Sequence, residues 1–195
     1  MPFQLPDAPT DSMDVLRAGL ASVAKSAARA EALGGSRSFE APSAPHPVFV
    51  LALEGVTRRE IGMARQVAWR YLLGAEGHAQ QAAEIAPTDL GGLQFLGVTR
   101  GPFVESTDAA IAAAAERLGP DSASFELRLL RVPALQVNAL WLVAKAGGTR
   151  NWMMPLAPAP EPLVARKLVE ESAFMQVLYE MAVGRRRGKG VWTPP

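Results

Sequence analysis

The sequence predicts one α+β domain, in which an antiparallel sheet of six or seven strands is packed by two or three helices. Its 195 residues suit a single well-packed domain. Short apolar or alternating runs predict the strands, and three apolar stripes at helical spacing predict the helices. Because the strands come in groups of three joined by short turn signals, antiparallel pairing is favoured.

Residues 1–46 are predicted to form an arm, a helix and a linker. Three prolines in the first nine residues favour an extended arm. Thr10 or Asp11 can cap a helix over about 11–33, and Gly34 with Gly35 can end it. The helical stripe consists of Leu16, Leu20, Val23, Ala27 and Ala30. The stretch 34–47 has the composition of a linker, so the helix before it is expected either to pack loosely or to serve a partner.

The body of the domain is predicted at 47–183 and begins with strands. PVFVLALE (47–54) is typical of a buried strand, and TRREIGMAR favours a short helical turn. QVAWRYLLG alternates, with Val67, Trp69, Tyr71 and Leu73 on one face. HAQQAAEIA has residues that prefer helix, but its place after a turn signal favours a returning strand. GLQFLGV is the third strand of this group.

A helix follows in GPFVESTDAAIAAAAERLGP, where Ser106 or Thr107 is expected to cap and Gly119 to stop it. Three further strands come next, with Pro133 predicting a bulge or an edge. One face carries Phe125, Leu127 and Leu129, and another carries Leu135, Val137, Ala139, Trp141 and Val143. A last helix is expected from Pro162 to Gly184. The two halves therefore share a layout of three strands and a helix.

Bulk composition bounds the chemistry. The formal net charge is +1, and there is no cysteine, which excludes disulfides, thiolate nucleophiles and sulfur-ligated zinc. No secretory signal and no apolar window of membrane-spanning length is recognisable, so we expect a cytoplasmic protein without membrane contact.

Residues suited to catalysis are scarce. The two histidines, His46 and His78, lie in different segments without chelating spacing and are expected to be solvated. Their long-range pairing with Glu54 or Glu84 stays open. No phosphate-binding loop, dinucleotide fingerprint or serine-nucleophile motif appears. We therefore expect no catalytic residue, no metal and no cofactor.

Several polar residues interrupt the predicted strands. Arg70, Arg128 and Arg131 are each expected on the wet face of a strand, although an arginine there can also fork onto a carboxylate or phosphate. A small-ligand site would use Arg70, His78, Arg128 and Asn138. This hypothesis requires that the four side chains converge in one concavity.

The chain ends in a basic tail at 184–195, whose candidate partner-binding residues are Arg185, Arg186, Arg187, Lys189 and Trp192. The tail carries four cations and no acid. Four cations predict at most weak, salt-sensitive nucleic-acid binding, and a single tryptophan is no stacking platform. A docking peptide and a passive solubilising tail are the alternatives.

Three stretches carry a family resemblance: WRYLLG (69–74), GPFVEST (101–107) and LRLLRVPALQVNALWL (127–142). Together they resemble a family of uncharacterised proteins from high-GC bacteria over about residues 65–160. The resemblance implies no activity and no site residue. The element order is also similar in outline to small secretion-chaperone folds, as an analogy of topology alone.

These observations favour a non-enzymatic protein-interaction or adaptor module that acts through its sheet, its first helix or its tail. The expected partner is another protein, and a homo-oligomer is compatible with the sequence. Two alternatives remain: a small-ligand binder or enzyme whose site is assembled from distant strands, and weak nucleic-acid binding by the tail.

Overall fold

A computed structural model of the chain describes residues 3–30, 42–74, 79–119, 125–145 and 150–188. Two short 3₁₀ helices, Ile61–Met63 and Pro133–Leu135, connect strands within it. The regular elements in chain order are α1 (Ser12–Ala30), β1 (Pro42–Val50), α2 (Leu53–Arg58), β2 (Arg65–Leu73), β3 (Gln81–Pro87), β4 (Leu93–Arg100), α3 (Pro102–Leu118), β5 (Phe125–Val132), β6 (Val137–Ala144), β7 (Trp152–Pro155), β8 (Val169–Glu170) and α4 (Glu171–Gly188).

The strands form a single sheet in the order β4-β3-β2-β1-β5-β6-β7-β8. The predicted α+β class is thereby confirmed. The described residues contain eight strands, against the six or seven predicted, because β8 has only two residues and no alternation that a sequence pattern could reveal. The sheet is also mixed: β1 and β5 are parallel, through residues 48–50 and 129–131.

The sheet consists of two halves that meet at the β1–β5 pair. Each half has four strands followed by a long helix, and the strand order of one half mirrors the other. The helix α3 packs on one face of the sheet and α4 on the opposite face. A twofold axis parallel to the strands, between β1 and β5, would generate this arrangement. The similar layout of the halves predicted from sequence is therefore an architectural feature of the fold.

Separate apolar cores close the two faces of the sheet, one core on the first face and two on the other. On the face that we call the α3 face, Val104, Ala110 and Ile111 of α3 pack on strand residues such as Leu129 and Leu140. The other face, the α1/α4 face, has two cores. Around α4, the core contains Phe174, Leu178, Leu130, Val137 and Trp141. Around α1, it contains Leu16, Leu20, Trp69, Tyr71 and Ile85.

Most face assignments made from alternation are confirmed. Leu127 and Leu129 lie in the core of the α3 face, whereas Val137 and Trp141 lie in the core under α4. The ambiguous HAQQAAEIA segment forms strand β3 from Gln81 onward. Burial on the sheet prevails there over the helical preference of alanine and glutamine.

The first strand differs from the prediction at both ends. It covers Pro42–Val50, while residues 53 and 54, expected in the strand, begin helix α2. Pro42, Pro45 and Pro47 are tolerated because β5 pairs with β1 only from Val48 onward, so few backbone donors are needed there. The linker predicted at 34–47 is consequently wrong for its last residues, and 31–41 lie outside the described chain.

Helix α3 begins earlier than its predicted cap. Gly101, at φ 109°, precedes Pro102 at the first helical position. Ser106 and Thr107 therefore lie inside the helix, and neither caps it. Ser106 is buried and its Oγ accepts a hydrogen bond of 2.6 Å from the Ala157 backbone N–H. A tertiary contact thus uses the hydroxyl that the sequence pattern assigned to capping.

The last helix starts at Glu171, not at Pro162, and continues past Gly184 to Gly188. Its start is fixed by the Glu171 carboxylate, which accepts hydrogen bonds from Trp141 Nε1 and Asn151 Nδ2, both at 2.9 Å. A glycine inside a helix costs only about 1 kcal/mol, so Gly184 does not end it.

Two findings concern the remaining predictions about the chain. None of the helices in the described ranges has the length and apolar character that crossing a bilayer requires. The helix end expected at Gly34 and Gly35, and most of the turn signal between QVAWRYLLG and HAQQAAEIA, fall on positions outside the described chain.

Helix α1 packs on β4 through a glycine, which yields a stability prediction. A Cβ at Gly19 would lie 2.2 Å from Phe95 Cγ, so Gly19→Ala must displace the ring or the helix. We expect a loss of about 1–3 kcal/mol in the free energy of unfolding, measured by urea denaturation. The control is Gly184→Ala, where a Cβ meets nothing within 4 Å. That variant should gain roughly 0.5–1 kcal/mol. Equal effects of the two substitutions would contradict the packing.

Candidate functional site

Four ionisable side chains form a row across the α3 face of the sheet. Glu84 on β3 is in register with Arg70 on β2, and Arg70 is in register with His46 on β1. Arg131 of β5 lies on the same face and reaches Glu84 from the other half of the sheet. We call these four residues the polar row. Alternation places them beside Ala68, Leu72, Ala82 and Leu129, which belong to the core under α3.

The polar row is held together by the Glu84 carboxylate. Arg131 donates to both of its oxygens, from Nη1 to Oε2 at 3.0 Å and from Nη2 to Oε1. Arg70 Nε is 3.7 Å from Oε1, within ion-pair range but too far for a hydrogen bond. Arg70 and Glu84 are only 3% and 7% exposed. One buried carboxylate therefore neutralises part of the charge of two guanidinium groups.

His46 is fully buried in the neutral form. Its Nδ1 lies 2.7 Å from the Ala44 carbonyl oxygen, which can only accept, so Nδ1 carries the proton. The second ring nitrogen, Nε2, is thus an acceptor, and no hydrogen-bond donor of the described chain reaches it. Burial, and next the charge of Arg70, lower the pKa of His46 to about 3. The expectation of a solvated histidine is wrong.

Arg70 remains charged despite its burial. Desolvation lowers its pKa to about 10, against the opposing effect of Glu84. Its Nε, like His46 Nε2, is a buried polar atom without a hydrogen-bond partner among the described residues. The expectation that Arg70 lies on a wet face is wrong, because Arg70 is buried between Ala68 and Leu72, which belong to the core under α3. Only the Arg131 end of the polar row is substantially open to solvent, with 29% of the side chain exposed.

The residues of the hypothetical ligand site are divided by the sheet. Arg128 points to the α1/α4 face, where its guanidinium lies 5.0 Å from the Phe49 ring centre and 5.1 Å from the Trp141 ring centre. Its Nε donates to Glu126 Oε1 at 2.7 Å. Arg70 lies on the opposite face, so these two arginines do not converge.

The other two candidates add one neighbour to the polar row. Asn138 of β6 is paired with Arg131 and shares the α3 face with Leu140, two residues further on. His78 lies outside the described residues. Arg70 and Asn138 are thus the predicted pair on one face. The structure adds Glu84 and Arg131 to this face. Alternation along β3 and β5 can indicate the face of each residue, but it does not show that Arg131 contacts Glu84.

The tail residues are only partly described. Arg185 lies in the last turns of α4, where Nη1 and Nη2 donate to the carbonyl oxygens of Ala134 and Leu135 at 2.8 and 3.3 Å. This arginine therefore ties the helix end to the 3₁₀ turn between β5 and β6. The side chains of Arg186 and Arg187, and the whole of Lys189 and Trp192, lie outside the described part.

An open groove of about 620 Å³ lies at the connection from β1 to β2. Its apolar rim includes Met63 and Val67, which are 37% and 39% exposed. Glu54 in its wall is paired with Arg58 at 2.9 Å, and Arg65 contributes a cationic side chain. The rest of the lining is small or apolar: Val50, Ala52, Gly55, Gly62 and Ala64. The groove thus offers apolar contact surface beside one cation.

Metal ligation and known relatives give no further guidance. Within the ranges that the structure describes, histidine, aspartate and glutamate nowhere form a cluster of three or more that could hold a metal ion. No protein-family model, curated protein or solved structure matches the chain. The site must therefore be interpreted from its own geometry.

The buried His46 predicts an acid-dependent loss of stability. The pKa of His46 is about 3 in the folded chain and near 6.5 in the unfolded chain, so the unfolded chain binds the proton first. The stabilisation is complete above pH 6.5 and is lost as the pH falls toward 3, at up to about 1.4 kcal/mol per pH unit. Urea denaturation across this range, compared with His46→Asn, measures it. Parallel curves for the two chains would refute the assignment.

Glu84 predicts a large effect of removing one charge. In Glu84→Gln, the buried Arg70 loses its carboxylate, so we expect unfolding to become about 3–5 kcal/mol easier. The matched control is Glu54→Gln, which breaks an ion pair whose side chains are 59% and 61% exposed. This control should change stability by less than about 1 kcal/mol. Chemical denaturation at neutral pH distinguishes the two, and a similar small loss in both would contradict the role of Glu84.

Proposed function

We propose that this chain is a non-enzymatic protein-interaction module, and that the groove at the connection from β1 to β2 is a surface through which it contacts another protein. The observation that carries the proposal is the lining of the groove. It offers apolar side chains and backbone around a single cation, and its one carboxylate is engaged by Arg58. Such a surface suits the burial of a partner's apolar side chain.

The use of the charged side chains supports the same proposal. Arg70, Glu84 and Arg131 bind one another across the sheet, Arg128 lies beside two aromatic rings that contact each other, and Arg185 caps a turn. Each of these groups therefore has a role in holding the fold. General acid–base chemistry instead needs a titratable group within hydrogen-bond reach of a bound substrate.

Arg65 gives the proposed contact a preference for a partner segment that carries a carboxylate. It is the cationic member of the groove lining, next to the exposed Met63 and Val67. A partner segment with an apolar side chain and a neighbouring carboxylate would bury the first in the groove and pair the second with Arg65. Binding of this kind should weaken as salt rises, because an exposed ion pair is screened.

Two alternative functions are less well supported than this proposal. A small-ligand site would have to use the polar row with Asn138 and dispense with Arg128, because the sheet separates them. Nucleic-acid binding by the tail would rely on Arg186, Arg187 and Lys189, because Arg185 is already bonded to two backbone carbonyl oxygens. Neither alternative is supported by an accessible surface comparable to the groove at Met63 and Val67, which favours the protein-interaction module.

Charge substitutions at the rim test the proposal. Met63→Glu and Val67→Glu should each lower the amount of partner retained by the immobilised chain by about tenfold, because a carboxylate would be buried against the partner. Retained proteins are quantified by mass spectrometry from extracts of cells that naturally produce the chain.

The matched control is Leu90→Glu, at an apolar side chain that is 98% exposed in the turn between β3 and β4. It should retain the partner fully. If all three variants retain the same proteins at the same level, the groove is not the contact surface. If the wild-type chain specifically retains no protein, the proposed function itself fails.

A further inference from the structure

We infer that β1 leaves a slot beside the start of β5 that binds an extended peptide strand, and that residues 3–5 occupy this slot as an exchangeable internal ligand. The inference rests on the proposed function, since it names a second contact site of the same interaction module. Its partner is a protein segment in extended conformation with apolar side chains two residues apart.

The backbone geometry defines the slot. Gln4 N–H donates to the Phe125 carbonyl at 3.0 Å, and its own carbonyl accepts from Leu127 N–H at 3.3 Å. Gln4 thereby forms a parallel bridge with Glu126, at a level of β5 where β1 makes no pair. The arm thus takes the position that a neighbouring strand would occupy.

The slot exists because β1 bends away from β5. Ala44 has a φ of 51°, in the left-handed region, and the pairing of β1 with β2 shifts between Ser43 and His46. The bond from His46 Nδ1 to the Ala44 carbonyl fixes this bend from inside. Since the bend is part of the folded body, the slot does not depend on which peptide occupies it.

Side-chain burial defines what the slot accepts. Phe3 is only 4% exposed and belongs to the core under α3 together with Phe125 and Leu127. Leu5, two residues further, packs against the same core. Alternate residues of an extended strand point to the same side, so the slot selects apolar–x–apolar segments. The aromatic side chain is the main anchor.

The resident arm is held by few backbone bonds. It is joined to β5 by two backbone hydrogen bonds, and Pro6 and Pro9 cannot extend the ladder as donors. Its opening therefore costs mainly the burial of Phe3 and Leu5, which an incoming strand with apolar side chains at the same two positions would restore. Once the arm leaves, a backbone donor, a backbone acceptor and an apolar pocket are unpaired. A second strand that supplies these groups would therefore replace it.

The test uses a chain lacking residues 1–7 and a fluorescent peptide of residues 1–9, with binding followed by anisotropy. We expect saturable binding to the shortened chain, and about tenfold weaker binding to the full chain, whose own arm competes. The matched control peptide carries Phe3→Ala and should bind about tenfold more weakly. The inference is overturned if the shortened chain folds but does not bind the peptide, or if it binds both peptides with equal affinity.

A second measurement on the full chain covers the case in which the shortened chain does not fold. The Leu127 amide should exchange with deuterium at least about tenfold faster than the amides of residues 129–131, which lie beside β1, and excess peptide should slow it. Equal exchange rates would refute an exchangeable arm.

Met63→Glu should leave peptide binding unchanged, so the proposal for the slot and the proposal for the groove can be refuted independently. A full chain that dimerises by swapping its arm would show the slot filled by a second copy.

Discussion

The two halves of this sheet meet along a seam of only three residue pairs, and most features of the molecule follow from how that seam is closed. Residues 48–50 pair with 129–131, and beyond them β1 and β5 separate. Arg131 reinforces the seam, because it starts on β5 and binds Glu84 on β3, across two intervening strands. A side-chain ion pair therefore links the halves where the backbone ladder is short.

This closure explains why charges are buried under α3. A carboxylate that receives two hydrogen bonds from one guanidinium and lies beside another has electrostatic partners on both sides within an apolar core. Replacing such a cluster by apolar residues is often neutral or stabilising, so burial of charge by itself is weak evidence for stability. Its geometry is more informative: Arg131 binds Glu84 across β1 and β2, so the ion pair joins strands of the two halves.

The sequence was sufficient for much of the body and insufficient for the seam. Alternation correctly assigned Leu127 and Leu129 to one face and Val137 and Trp141 to another, because burial of one face leaves a period of two. Alternation could not predict the contact of Arg131 with Glu84. The two residues are 47 positions apart, and the pattern within a strand does not indicate which strands are its neighbours. The same limit applies to His46: a stretch rich in proline has the composition of a linker, yet tertiary contacts make it a strand.

The short seam between β1 and β5 also leaves the opening in which we propose the peptide slot. The bend at Ala44 that separates β1 from β5 is fixed by His46, and the opening it leaves is where Gln4 bonds to β5. If the ladder between the halves ran the full length of β1, no position would remain for the arm. A neutral, buried imidazole is suited to hold such a bend, because its one proton is committed to a backbone carbonyl and it adds no charge beside two arginines. The burial of His46 is thus explained by the fold, since its ring holds the bend of β1 beside which the proposed slot lies.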